Sequence, residues 1–417
     1  MDETHPLFVQ LPTLSDTKVS INDSTSVTIT SAIKNDGGAS IKSSGFCWSK
    51  NPNPTINNNK SNDGNGKDSL SHILNNLTPN TTYYVRSYAI NKAGTSYGKL
   101  ISFTTSIEKA LVTTTEISNI DITSAGSGGN VSIVSNNTLF EKGVCWSTNH
   151  NPTINDNKTS DGINTGSFSS TLSGLLVNTK YYVRAYASCK SGISYGNEVS
   201  FNTLDGVMDV DGNAYHIVTI GTQTWMVENL RTAKYRDGST IPNVTDDPTW
   251  IALTSGAWCN YNNDTSYDKK YGKLYNWYTV NDIRNLAPLG WHIASDAEWT
   301  TLENYVIANG GNYDGTFTGN KIAKALADSI GWISDTGMGT IGNNLSLNNK
   351  FGFRALPAGG HSSNGSFFNF GIIGNWWCSN QYSSTQAWDR GMYSYNSADA
   401  RGYNVKANGF SVKCIKD

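Results

Sequence analysis

Side chains able to hold a metal or attack a bond are sparse in this 417-residue chain, and most stand alone. Asp209, Asp211 and Asn213, in D-V-D-G-N-A-Y (Asp209–Tyr215), have the alternating oxygens of a calcium loop. An EF-hand needs a bidentate Glu at its twelfth position, where this chain has Ile220. The segment therefore reads as an Asp-Gly turn entering a strand over 215–220. Asp264 and Asp268 make a second acidic pair, but Lys269 and Lys270 follow them directly, as in a solvated loop. His216, His292 and His361 are scattered, and none stands beside a Ser or Cys in a nucleophile-elbow pattern such as G-x-S-x-G. His292, between Trp291 and Ile293, reads as a strand residue. No C-x-x-C pair and no Cys/His cluster with zinc spacing occurs. The expectation is a chain with no metal, no cofactor and no catalytic residue.

Aromatic side chains are the remaining chemical resource, since Trp and Tyr offer flat apolar area with a polar tip at low entropic cost. Ten of the 12 tryptophans follow Asp205. Most fall inside dense motif segments and are expected in the core. The stretch 387–396 alternates, with Trp388, Arg390 and Met392 on one face and Asp389, Tyr393 and Tyr395 on the other. Taking the Trp388/Met392 side as inward leaves Asp389, Tyr393 and Tyr395 outward. That face continues into Asn396, Asp399, Arg401 and Tyr403. These seven residues are the expected ligand-binding surface.

The elements that must position them are mainly β. Charged residues make up 15% of the chain, below the roughly 25% usual for globular proteins. Asn, Ser, Thr, Gly and Tyr carry the polar balance, which suits exported β-rich proteins. A net charge of −2 argues against nucleic-acid partners and a charged membrane footprint. Apolar runs stay far below the roughly 18 residues of a membrane span, so no direct membrane insertion is expected. The N-terminal M-D-E-T-H-P-L-F lacks a basic and then apolar leader. Two settings fit: a mature exported protein, including a lipoprotein with its leader removed, or a virion protein exposed on host lysis.

Residues 12 to 204 hold two copies of one unit. G-F-C-W-S-K-N-P-N-P-T-I (Gly45–Ile56) is matched by G-V-C-W-S-T-N-H-N-P-T-I (Gly143–Ile154), and Y-Y-V-R-S-Y-A (Tyr83–Ala89) by Y-Y-V-R-A-Y-A (Tyr181–Ala187). Cys47 and Cys145 are equivalent and 98 positions apart, the size of one small β-sandwich. They read as small apolar core residues, and Cys189 aligns with Asn91. In Tyr83–Ala89, Tyr84, Arg86 and Tyr88 alternate with Tyr83, Val85, Ser87 and Ala89, a strand with two differently dressed faces. The boundaries expected are an N-terminal tail at 1–11, sandwiches at 12–106 and 107–204, and a C-terminal domain at 207–417. The joint Leu204-Asp205-Gly206-Val207 is too short for a flexible tether, which predicts contact between its neighbours. In the C-terminal part, Ser295 and Glu298 spell an S-x-x-E capping box. Trp299, Leu302 and Val306 follow at helical spacing, and a shorter helix is predicted around 321–327. The last 45 or so residues read as strands, giving an α+β body.

L-T-P-N-T-T-Y-Y-V-R (Leu77–Arg86) and its counterpart resemble the corner and strand of fibronectin type III domains, in the version common in exported Bacteroidetes proteins. That resemblance implies a spacer role. From Val207 to Asp417 the chain resembles the Fibrobacter succinogenes major paralogous domain. The motifs are D-V-D-G-N-A-Y, Q-T-W-M-V-E-N-L (Gln223–Leu230), Y-G-K-L-Y-N-W (Tyr271–Trp277), G-W-H-I-A-S-D-A-E-W (Gly290–Trp299) and G-F-S-V-K-C-I-K-D (Gly409–Asp417). The family resemblance implies a C-type lectin-like fold. It implies no calcium-dependent sugar site, because E-P-N, Q-P-D and W-N-D are absent and the nearest segment is N-W-W-C (Asn375–Cys378). Formylglycine-generating enzymes share that broad fold, and their chemistry would need a copper centre at Cys378 and Cys414. Both cysteines sit in hydrophobic strand segments, and with Cys259 they leave inert thiols or one structural disulfide open.

The fold class expected is thus multidomain and mainly β: two Ig/fibronectin-III-like β-sandwiches followed by an α+β C-type lectin-like domain. The function expected is a non-catalytic, surface-displayed binding or adhesion protein that recognises a glycan or cell-surface protein. The alternative is a bacteriophage structural protein, a capsid decoration or fibre with an oligomer or capsid partner; an oxidase ranks third.

Overall fold

The computed structural model describes residues 8–65, 69–133 and 137–417. Residues 1–7 of the expected N-terminal tail, and with them most of the segment tested for a leader, lie outside the described residues. The chain divides into two compact units. One comprises Met1–Asn119, Ala125–Leu172 and Lys180–Phe201; the other comprises Ile120–Ser124, Ser173–Thr179 and Asn202–Asp417. Strands dominate throughout, and the architecture is multidomain and β-sandwich in character. Among the described residues no helix is long and apolar enough to cross a membrane.

The first copy of the repeat packs two antiparallel sheets. Val27–Asn35 is flanked by Thr13–Leu14, Lys18–Ile21 and Ser69–Leu74. Thr82–Ile90 is flanked by Ser43–Ser49, Thr95–Tyr97 and Ile101–Thr104, with Asn59–Lys60 outside Ser43–Ser49. Val27, Ile29, Leu70 and Leu74 from one sheet meet Phe46, Tyr83, Val85 and Phe103 from the other in one core. Period-2 alternation produces this: Tyr83, Val85, Ser87 and Ala89 are buried, while Tyr84 and Arg86 are half-buried on the other face. Tyr88 shares that second face yet is 2% exposed, because its hydroxyl donates to the Ser61 carbonyl at 2.6 Å.

The second copy repeats these contacts at the same 98-residue offset. Tyr186 donates to the Thr159 carbonyl at 2.7 Å. Cys145 Sγ lies 3.4 Å from the Pro152 carbonyl, as Cys47 Sγ lies 3.3 Å from that of Pro54. Arg184 lies over the Tyr195 ring as Arg86 lies over Tyr97, at 4.7 and 3.9 Å. One difference is sharp. The strand Ser124–Ser132 carries glycines where Val27–Asn35 carries side chains. A Cβ on Gly129 would come within 2.5 Å of the Thr113 carbonyl oxygen and 2.7 Å of Ala185 Cβ, so the sheets approach closely there.

The C-terminal region is built from three sheets and a long helix. Gly206–Met208, Ala214–Ile220, Gln223–Met226, Cys414–Lys416 and Trp291–Ile293 lie in that order in the first sheet. Half of the expected joint, Gly206 and Val207, is therefore strand. A second sheet orders Trp258–Cys259, Leu274–Asn276, Gly409–Phe410, Gly360–His361 and Phe367–Phe368. The third is a three-stranded meander of Ile373–Gln381, Gln386–Tyr393 and Ala400–Val405. The helix spans Asp296–Ala308, and both halves of the Ser295/Glu298 capping box are formed. Trp299, Leu302 and Val306 are fully buried on its inner face. The shorter predicted helix is present as one turn, Ala323–Leu326.

Tryptophans tie the sequence motifs together. Trp225, Trp299 and Phe353 meet edge-on, with ring centroids 5.2 to 5.5 Å apart. Trp376 Nε1 donates to Asn229 Oδ1 at 2.8 Å, and Asn229 Nδ2 donates to the Tyr271 carbonyl and to Ser411 Oγ. One buried amide thus joins four motif segments. Of the ten tryptophans after Asp205, all but Trp258 and Trp388 are buried. Those two are half-buried, and Trp388 lies on the meander.

Candidate functional site

On the helix Asp296–Ala308, positions 296, 300 and 303 share one side at helical spacing. That side meets the middle strand of the meander at Arg390, whose side chain is fully buried. Arg390 Nη1 donates to Asp296 Oδ1 and Nε to Glu303 Oε1, each at 2.6 Å. Its Nη2 reaches the Asp296 carbonyl and Thr300 Oγ1, each at 3.0 Å. Arg401, opposite Arg390 on the next strand, donates from Nε and Nη2 to the two Asp296 carboxylate oxygens at 2.8 and 2.7 Å. The Arg401 bond, then Arg390, holds the Asp296 carboxyl below its ordinary range against the cost of burial. Two guanidinium groups and two carboxylates thus clamp helix to sheet.

The same clamp orients an aromatic shelf. Arg401 lies over the Trp388 ring, 3.8 Å from its centroid. Trp388 pairs in register with Tyr403, and their rings meet edge-on at 6.0 Å. Tyr382 completes the group. Its ring stacks on Tyr403 at 4.0 Å with an interplanar angle of 3°, and meets Trp388 edge-on at 4.9 Å. Tyr382 follows an irregularity in the ladder between Trp377 and Gln381, which re-aims the chain at the hairpin. Tyr382 is 46% exposed and Tyr403 48%, whereas Trp388 packs against the helix core and anchors the pair from below.

The seven sequence-predicted residues do not form one surface. Arg401 and Tyr403 lie on the shelf. Asp389 is 4% exposed and faces the opposite side of the sheet, where Asn404 Nδ2 donates to it at 3.0 Å. The expectation of an outward Asp389 is corrected, and the reason is that the meander's middle strand is covered on both faces. Met392 and Trp388 pack into the core around Trp299, and Ala387 into that around Trp377. Burial pushes the Asp389 carboxyl up to about 6, against Asn404 and Arg390. Asp399 is also corrected: it is 7% exposed and bonded to Asn320 Nδ2. Burial first, and then the adjacent Glu303 carboxylate, raise it far above its ordinary range. Tyr393 is half-buried, and its ring lies 5.6 Å from that of the exposed Tyr395. Asn396 is exposed in the following turn. Sequence reasoning missed Tyr382, because Q-Y-S-S-T-Q reads as a plain turn. The buried clamp left a signal, an Arg on the face assigned inward, which required acidic partners.

Most of the other candidate chemistry is occupied by the protein itself; the exception is His361, 2% exposed between the Trp250 and Phe367 rings, whose Nδ1 has no hydrogen-bond partner among the described residues. Asp209 accepts from Asp211 N, Asn213 N, Asn213 Nδ2 and Tyr215 Oη, at 2.6 to 2.9 Å. Asp211 pairs with Lys234 at 2.9 Å. Asp264 caps a short 3₁₀ turn through Ser266 N, and Asp268 pairs with Lys273 at 2.5 Å. His216 bonds Glu228 at 2.7 Å, and His292 bridges Glu298 and Asp417 at 2.8 and 2.7 Å. All six cysteines are free and buried. Cys378 and Cys414 belong to different hydrophobic clusters, and burial pushes both thiols above their usual range.

Residues 218–416 match the family model described as the Fibrobacter succinogenes major domain. The C-terminal region carries a Fibrobacter succinogenes major domain. The helix, the clamp and the shelf all lie inside this major domain. Among solved structures the chain is similar to the FN1–FN3 domains of chicken CNTN1, at 13% identity over 46% of this chain and 67% of that one, with a TM-score of 0.22. It is also similar to a two-domain fibronectin type III segment of chicken tenascin, at 15% identity over 46% and 98%, with a TM-score of 0.25. No curated protein matches the chain.

Proposed function

We propose that this is a non-catalytic, extracellular or cell-surface binding protein, in which β-sandwich domains carry a major domain that recognises a glycan or a surface protein. The observation that carries the reading is the stacked Tyr382–Tyr403 pair, two half-exposed rings held in register by Trp388 and Arg401. Rings that are fixed before a ligand arrives lose little entropy on binding. The low-charge, Tyr- and Asn-rich composition supports an exported setting. The carboxylate-paired His216 and His292 and the buried thiols favour binding over catalysis.

The test is the full chain on an array of glycans and surface proteins, beside two variants. Tyr382→Ala/Tyr403→Ala removes the shelf, and Tyr393→Ala/Tyr395→Ala removes the other tyrosine pair. The reading expects the first variant to lose the signal and the second to keep it. A shelf variant that binds like the parent would refute it.

A further inference from the structure

We infer that the ligand of the shelf is an uncharged pyranose chain, held by ring stacking and by uncharged polar groups around it. This rests on the recognition role proposed for Tyr382 and Tyr403. It concerns what they recognise.

Charge decides against an acidic ligand. Arg401 has two donor nitrogens on Asp296 and one ring face on Trp388. Arg390 is enclosed by Asp296, Glu303 and Thr300. The nearby Lys406 is 7% exposed, with Nζ on Gln381 Oε1 at 3.2 Å and the Ser384 carbonyl at 2.9 Å, over the Trp277 ring. Two guanidinium groups face two carboxylates, so the clamp sums to no net charge. A uronate or phosphate would have to compete with Asp296 for Arg401, and the Asp296 carboxylate would repel it.

Shape and surroundings favour a sugar over a protein. The Tyr382 and Tyr403 rings cover each other's inner faces, so the stack presents an outer ring face and two hydroxyl tips, the match for the C–H face and the equatorial hydroxyls of one pyranose. Ser384 and Thr385, exposed in the adjoining hairpin, add hydroxyl groups that both donate and accept. A protein interface of ordinary size needs about 800 Å² per partner with an apolar centre. On the Ala400–Val405 strand, Val405, 43% exposed, extends the apolar area beside Tyr403 by a single side chain.

The experiment is affinity electrophoresis of the full chain through gels containing xyloglucan, mannan or polygalacturonate. The inference expects retardation in a neutral gel that persists at about 0.5 M salt, where the Debye length is only a few Å. Tyr382→Ala/Tyr403→Ala should weaken it about tenfold or more. Shelf-dependent retardation in polygalacturonate alone would overturn the ligand class and leave the recognition role standing. Capture of arrayed protein by the shelf, without retardation in any gel, would do the same. Retardation unchanged in the double variant would overturn both.

Discussion

Arg401 lays its guanidinium 3.8 Å from the centroid of the Trp388 ring while donating to both carboxylate oxygens of Asp296. One side chain therefore fixes the shelf from its edge and the helix from its start. Arg401 is half-exposed, and an exposed ion pair contributes up to about 1 kcal/mol. Arg401→Ala should cost about that much in urea unfolding followed by tryptophan fluorescence, which reports mostly on the major domain. Arg390→Ala should cost about 3–5 kcal/mol, because it strands Asp296 and Glu303 without their buried partner. Equal losses for the two would refute the distinction.

Two carboxyls on the meander give the fold an acid-side stability. In the unfolded chain Asp389 loses its proton near pH 4, whereas the folded one keeps it up to about 6. Between those values the native state binds the extra proton, so stability falls as pH rises and levels off above about 6. The loss is about 2–3 kcal/mol for Asp389. Asp399 is shifted the same way and extends the decline to higher pH. Relative to the parent, Asp389→Asn should lose less urea midpoint between pH 4 and 6, and Asp399→Asn less above pH 6, whereas Lys413, pushed down to about 7 by burial, works in the opposite sense in parent and variants alike. Variant-minus-parent differences that do not change with pH would contradict the buried placement of both groups.

Asn229 links the Q-T-W-M-V-E-N-L segment to Trp376, Tyr271 and Ser411 through three buried hydrogen bonds. Asn229→Ala orphans those partners and should cost about 3 kcal/mol or more. The readout is the same fluorescence-monitored urea curve, and a loss below about 1 kcal/mol would mean the motif is not held by this amide.

Buried cysteines make a prediction about reactivity. All six thiols should be silent to Ellman's reagent in the folded protein and react in urea. Fast labelling of Cys378 and Cys414 in the native protein would favour redox chemistry and weaken the binding reading.

The repeat was legible because strand alternation leaves an imprint in one dimension: Tyr83, Val85, Ser87 and Ala89 are buried as their spacing implies. The helix at Asp296 was legible for a similar reason, since Ser295 and Glu298 cap it within four residues of each other. The site was harder. Alternation around Trp388 gave two faces correctly but not their environments, and the middle strand of the meander lies between two cores. Asp389 and Asp399 therefore moved from surface to interior. Tyr382 and Tyr403 are 21 residues apart and stack only after the hairpin folds back past its irregular ladder, a relationship no local pattern encodes.

The most direct test of the central claim is the equilibrium binding of Tyr382→Ala/Tyr403→Ala, in the full chain, to the glycan or protein that the parent selects on the array. Its thermal midpoint should be checked alongside. The expected Kd is at least about tenfold weaker, equivalent to about 1.4 kcal/mol, with the midpoint within a few degrees of the parent. A Kd equal to that of the parent would contradict it.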